Sequence, residues 1–129
     1  MENVFIVNLY YETMRLLEDA RDYHRHWERM DRAALPLDQG CAMSRECLSM
    51  TARLTSVMAW VMTQRAVHAG EMSREEADSP DNRLLAQAIH TEPVRAPQNQ
   101  LPRRLWRLLD SSYRLYCRVQ RMESRTCLN

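Results

Sequence analysis

The sequence predicts an all-α protein, a three-helix bundle with a short helical excursion between the second and third long helices. Three observations carry this. Gly40 and Gly70 are the only glycines among 129 residues, too few for the turns of a β protein. Leu, Met, Ala, Arg and Glu dominate the composition, and all are good helix formers. Apolar residues recur at steps of three and four through three long stretches, as one buried helical face requires. The length fits a single domain, residues 1–129.

The first helix is expected from about residue 3 to 34. Its stripe is Ile6, Leu9, Thr13, Leu16, Ala20, Tyr23, Trp27 and Met30, widened by Tyr10, Met14 and Leu17. Leu35-Pro36 ends it, because a residue before proline avoids the α region. The second helix is expected over about 37–69, with Pro36 at its start and Asp38 near the positive end of the dipole. Gly40 and Ser44 leave open a start as late as Ser44. Its stripe is Cys47, Met50, Leu54, Val57 and Val61, and the segment VMAWVM is apolar all round. A helix of that kind is covered on more than one side, so it belongs at the centre, with Leu54 and Trp60 innermost. Gly70 is the expected left-handed cap.

Ser73 with Glu76 forms a capping box that opens a short helix over about 74–78. Ser79-Pro80 opens another over about 80–90. The polar stretch TEPVRAPQNQ then leads to the third long helix, about 101–124. Its stripe is Leu101, Leu105, Leu108, Ser112, Leu115, Val119 and Met122, flanked by Leu109 and Tyr116. The three long helices are expected to run up, down and up.

The eighteen Lys/Arg positions are all arginine, which excludes Schiff-base chemistry and a phosphate-loop lysine. Net charge is +1, so no global field points to nucleic acid or membrane. The charge is uneven, however. Leu101 to Arg125 carries seven arginines against Asp110 and Glu123, whereas residues 1–100 are net acidic. No cysteine pair among Cys41, Cys47, Cys117 and Cys127 has zinc-knuckle or redox spacing. Asn8 and Glu12 interrupt the apolar N-terminal stretch, unlike a secretory signal. The longest apolar run, Val57 to Met62, is far short of the ~20 residues of a membrane span. A cytoplasmic location with reduced thiols is the expectation.

The groups that catalysis requires do not assemble in the pattern. His24 and His26 are two apart, on different sides of a helix. His68 and His90 stand alone near expected helix ends. Glu76 is accounted for by capping and Glu75 by the first helical turn. Cys47 falls on a core stripe as a small hydrophobe. No enzyme activity, cofactor or metal is expected.

One feature looks like a binding site. Arg107, Arg114, Arg118, Arg121 and Arg125 lie off the third helix's apolar stripe, within roughly a half-circle. A solvated face explains such a pattern, and so does docking of an acidic protein. Nucleic acid fits less well, since interleaved aromatic stacking residues are missing.

The segment SMTARLTSVMAWVMTQRAVHAGEMSREEA resembles a small alphaproteobacterial family first catalogued as a domain of unknown function, number 1465. LPRRLWRLLDSSYRLYCRVQRM resembles that family's last helix, and NLYYETMRLLEDARDYH more loosely its first. The most specific part is Gln64 to Ser73, which makes Gln64 and Arg65 further candidates for partner binding. Characterised members are called regulators of CtrA degradation. The resemblance implies a bundle, often a homodimer, without catalytic residues. It implies an adaptor that helps a response-regulator-like partner and a ClpXP-type protease machine receive cargo, including transcriptional regulators, in cell-cycle control. The alternative reading is a nucleic-acid or transcriptional-regulator binding module that uses the arginine face.

Overall fold

In a computed structural model, residues 4–84 and 100–128 are described, with side chains to Arg125. All regular structure among them is helical: α1 (Val4–His26), α2 (Glu28–Ala33), α3 (Leu37–His68), α4 (Arg74–Ala77), a 3₁₀ turn (Pro80–Asn82) and α5 (Arg103–Leu128).

The expected first helix is two helices. The chain leaves the α conformation at Trp27, with φ −123° and ψ −30°, although the Trp27 N–H still donates to the Tyr23 carbonyl at 2.9 Å. Tertiary contacts hold the segment after the break. Arg32 Nη1 donates to the Gly40 carbonyl at 3.0 Å and to Ser44 Oγ at 2.7 Å. Tyr23 Oη donates to Asp31 Oδ2 at 2.9 Å, and the Arg104 guanidinium lies 3.5 Å over the Trp27 ring. Helix propensity amounts to tenths of a kcal/mol per residue, so such contacts readily override it. The buried stripe accordingly stops at Tyr23, and Trp27 and Met30 are exposed.

Pro36 is the N-cap of α3. The helix begins at Leu37 rather than Ser44 because the Gly40 N–H reaches the Pro36 carbonyl at 2.9 Å. It lies between α1 and α5 and packs on both. Met43, Cys47, Met50, Leu54, Val57, Trp60 and Val61 are buried there. Met62 is exposed, so the apolar-all-round segment is covered on most sides only. Gly70 takes φ +77° and closes the helix.

Ser73 Oγ accepts from the Glu76 N–H at 3.0 Å and caps α4. Of the helix expected over 80–90, the described part, residues 80–84, holds a 3₁₀ turn, Pro80–Asn82, followed by Arg83 in an extended conformation. Asn82 Nδ2 donates back to the Glu76 carbonyl at 2.9 Å, and the Leu84 N–H donates to Glu123 Oε2 at 2.6 Å. At Leu84 the chain thus lies against α5. The rest of that expected helix lies outside the described residues, as does TEPVRAPQN.

The direction of the third long helix also differs from the expectation. Tyr10 meets Arg65 and His24 meets Cys47, so α1 and α3 are antiparallel. Glu12 meets Arg118 and Trp27 meets Arg104, so α1 and α5 are antiparallel too. Consequently α3 and α5 run parallel, and the order is up, down, down. Short connections force antiparallel neighbours and long ones do not. The fifteen residues 85–99 can reach about 50 Å when extended, more than the roughly 39 Å length of a 26-residue helix. The buried residues are Leu101, just before α5, and on it Leu105, Leu109, Ser112, Leu115, Tyr116 and Val119. Leu108 and Met122 are only partly covered, so the stripe is rotated toward Leu109 and Tyr116.

Candidate partner-binding surface

Leu105, Leu109, Leu115 and Val119 turn one side of α5 inward, which leaves Arg107, Arg114, Arg118, Arg121 and Arg125 exposed. They do not form one uniform patch. Arg114 Nε pairs with Asp110 Oδ2 one turn earlier at 3.1 Å. Arg118 Nη2 pairs with Glu12 Oε2 across the seam between α5 and α1. Arg118 and Arg125 then border a groove of about 520 Å³ whose other walls are Phe5, Asn8, Leu9, Glu12 and Met122. Phe5 is 73% exposed. The groove is therefore an apolar floor with two guanidinium groups at its edge.

Arg107 belongs to a second hollow at the other end of the same seam. With Arg104 and Ser111 on α5 it faces Asp19, Asp22, Tyr23 and Trp27 across about 340 Å³. Arg121 lines neither hollow. Gln64 and Arg65 lie elsewhere. Gln64 is buried, and its Oε1 accepts from Arg74 Nη2 at 2.9 Å. Its role is to hold α4 against the end of α3, and a residue so enclosed offers no surface to a partner. Arg65 lies 4.6 Å over the Tyr10 ring on α1.

The residues the pattern missed here are Phe5, Asn8 and Glu12. Each is exposed on α1, and periodicity marks such positions only as solvated. Their importance comes from standing opposite Arg118 and Arg125, which a single helix cannot reveal.

A second polar cluster sits where α1, α2 and α3 meet. His24 Nδ1 and Glu28 Oε2 are 2.8 Å apart, and Glu28 Oε1 accepts from Arg32 Nη2 at 2.9 Å. Burial raises the Glu28 carboxyl, but the hydrogen bonds from Arg32 and His24 outweigh it and hold the group below its usual range. Cys47 Sγ faces the same point from α3. Burial, aided by the Glu28 charge, pushes its thiol up to about 12. Glu75 and Glu76 are both exposed, with Glu76 engaged at the α4 cap. Among the described residues no helix is long and apolar enough to cross a membrane.

Over residues 1–129 the chain matches the family described as "Protein of unknown function (DUF1465)". It is similar to the crystal structure of RcdA from Caulobacter crescentus CB15, with 30% sequence identity and a TM-score of 0.75. That similarity covers 97% of this chain and 92% of the other. No curated protein matches.

Proposed function

The chain belongs to the DUF1465 family, and from that premise we propose that it is a cytoplasmic protein-binding adaptor. It assists delivery of regulatory proteins to a ClpXP-type ATP-dependent protease in cell-cycle control, as characterised family members called regulators of CtrA degradation do. The RcdA-like all-helical fold points to a non-catalytic regulator. The observation that carries the reading on this chain's own residues is the groove between α1 and α5, where Arg118 and Arg125 flank Phe5, Leu9 and Met122. An apolar floor edged by arginine suits a peptide or helix that presents carboxylates beside apolar side chains. Arginine pairs bidentately with carboxylates and is enriched where proteins dock. Holding cargo there while another surface engages the machine or its response-regulator-like partner raises the local cargo concentration.

The reading as a nucleic-acid binding module is weaker. Net charge is only +1, without the strongly basic balance of a nucleic-acid-binding domain.

Reconstituted degradation tests the proposal. A candidate regulator, the protease and a response-regulator-like partner are combined with and without this chain. Faster turnover in its presence is expected, and equal rates overturn the adaptor reading.

A further inference from the structure

His24 lies in the last turn of α1, Glu28 begins α2 one residue past the break, and Cys47 projects from α3. Their ligand atoms, a His24 ring nitrogen, a Glu28 carboxylate oxygen and Cys47 Sγ, all lie within 4.8 Å of one another. We propose that these three side chains form a binding site for a divalent first-row transition ion of the zinc type, which pins the α1–α2 corner to α3.

The donor set selects the ion. One imidazole nitrogen, one carboxylate oxygen and one sulfur suit zinc and its borderline neighbours, whereas the thiolate disfavours magnesium and calcium. Three protein ligands leave a fourth tetrahedral position for water. Bond lengths of about 2.0–2.3 Å place neighbouring ligand atoms of a tetrahedral site roughly 3.3–3.8 Å apart. The His24–Glu28 pair, now at 2.8 Å, must open by about half an ångström, and Cys47 must close by ~1 Å or less. Both His24 and Glu28 have partly exposed side chains, 34% and 26%, so they have room to turn and the ion has a path from solvent.

The surroundings support the site in the way metal centres require. Arg32 holds Glu28 Oε1 and is itself fixed by the Gly40 carbonyl and Ser44 Oγ. This leaves Oε2 directed at His24. Such outer contacts orient first ligands and fix their geometry. On binding, the Cys47 S–H bond breaks, its proton passes to solvent, and the thiolate pair forms the bond to the ion. Carboxylate and thiolate together then balance the two positive charges. The spacing of four between His24 and Glu28 is visible in the sequence, but a search for histidine pairs overlooks it. Cys47, assigned to the core by its period, joins them only through the fold.

Cobalt(II) titration of the full chain, stripped of metal with a chelator, tests this. We expect one equivalent to produce thiolate-to-cobalt charge-transfer absorption, zinc to displace it, and zinc to raise the melting midpoint. His24→Gln and Cys47→Ser should each abolish the absorption and the rise, Glu28→Gln should weaken binding at least tenfold, and Cys41→Ser should change neither. Absence of the charge-transfer band in the unaltered chain overturns the proposal. So does a band that survives His24→Gln. Should Cys47→Ser fail to fold, His24→Gln, altered at a partly exposed position, decides the matter alone.

Discussion

Arg53 Nη2 reaches Ser112 Oγ at 3.5 Å inside the bundle, joining the middle of α3 to the middle of α5. Arg53 is 1% exposed. Burial lowers its affinity for the proton, and the charge of buried Glu46 works against that loss. The Tyr113 ring lies 5.7 Å from the guanidinium carbon. Among the described residues Arg53 Nε has no hydrogen-bond partner. A charge held this deep is tolerated when its partners are present and costly when one is removed. Arg53→Ala should therefore destabilise the protein by about 3–5 kcal/mol, because a large buried side chain leaves a void and Glu46, which keeps Arg45 Nε at 3.5 Å, loses the second positive charge near it. The double variant Arg53→Met with Glu46→Leu should recover much of that loss. Urea unfolding of the two checks this, and equal midpoints would show that the charges do not act together.

Leu54 is one residue further on and fully buried at 1% exposure. Leu54→Ala should cost about 2–5 kcal/mol, the lost transfer energy plus the cavity left behind. A fall below about 1 kcal/mol in the same urea experiment would mean that neighbouring side chains collapse into the space.

These two neighbours show what the amino-acid pattern reveals and what it hides. Leu54 sits on a stripe with Cys47, Met50, Val57 and Val61, and its burial follows from period alone. Arg53 does not, nor do Glu46 and Gln64, all buried. A charged residue reads as surface until its partner on another element is known. Ser112 belongs to the third helix's stripe by period, which does not reveal that it is the acceptor for Arg53. The break at Trp27 was hidden for the same reason, since Arg104 over its ring comes from the far end of the sequence. The parallel course of α5 depends on a connection, and periodicity carries no direction. At the candidate surface, Arg118 and Arg125 were legible as an outward face, while Phe5 and Glu12 opposite them were not.

The purified protein should be a homodimer. The VMAWVM segment offers little support for this, because Val57, Trp60 and Val61 are covered within one chain. Exposed apolar side chains on α1 and α3 offer more. Tyr11 near the start of α1 is 66% exposed, and Leu37 and Leu48 toward the start of α3 are 86% and 67% exposed; large apolar side chains left in solvent suit an interface. Sedimentation equilibrium at micromolar concentration should return twice the chain mass of 15.3 kDa. A single species at the chain mass contradicts the expectation.

The last prediction separates folding from binding on α5. Arg114 and Arg118 are exposed, Arg118 at 46% of its side chain with Glu12 at 45%. Exposed pairs of this kind contribute about 0–1 kcal/mol. Reversing both to Glu should therefore lower the melting midpoint only slightly, with the loss arising from the like charges set against Asp110 and Glu12. Binding of an acidic partner should fall much further, and its dependence on salt should flatten, because association steered by charge loses its steering. The swap Arg118→Glu with Glu12→Arg isolates the second effect. It restores an ion pair across the seam and with it the stability, yet it moves the positive charge from α5 to α1 along the groove wall. Partners captured from native cytoplasm by the unaltered chain should be held less well by the swapped one. If both variants hold every such partner as before, the guanidinium groups serve solubility alone, and the docking site lies off the α1–α5 seam.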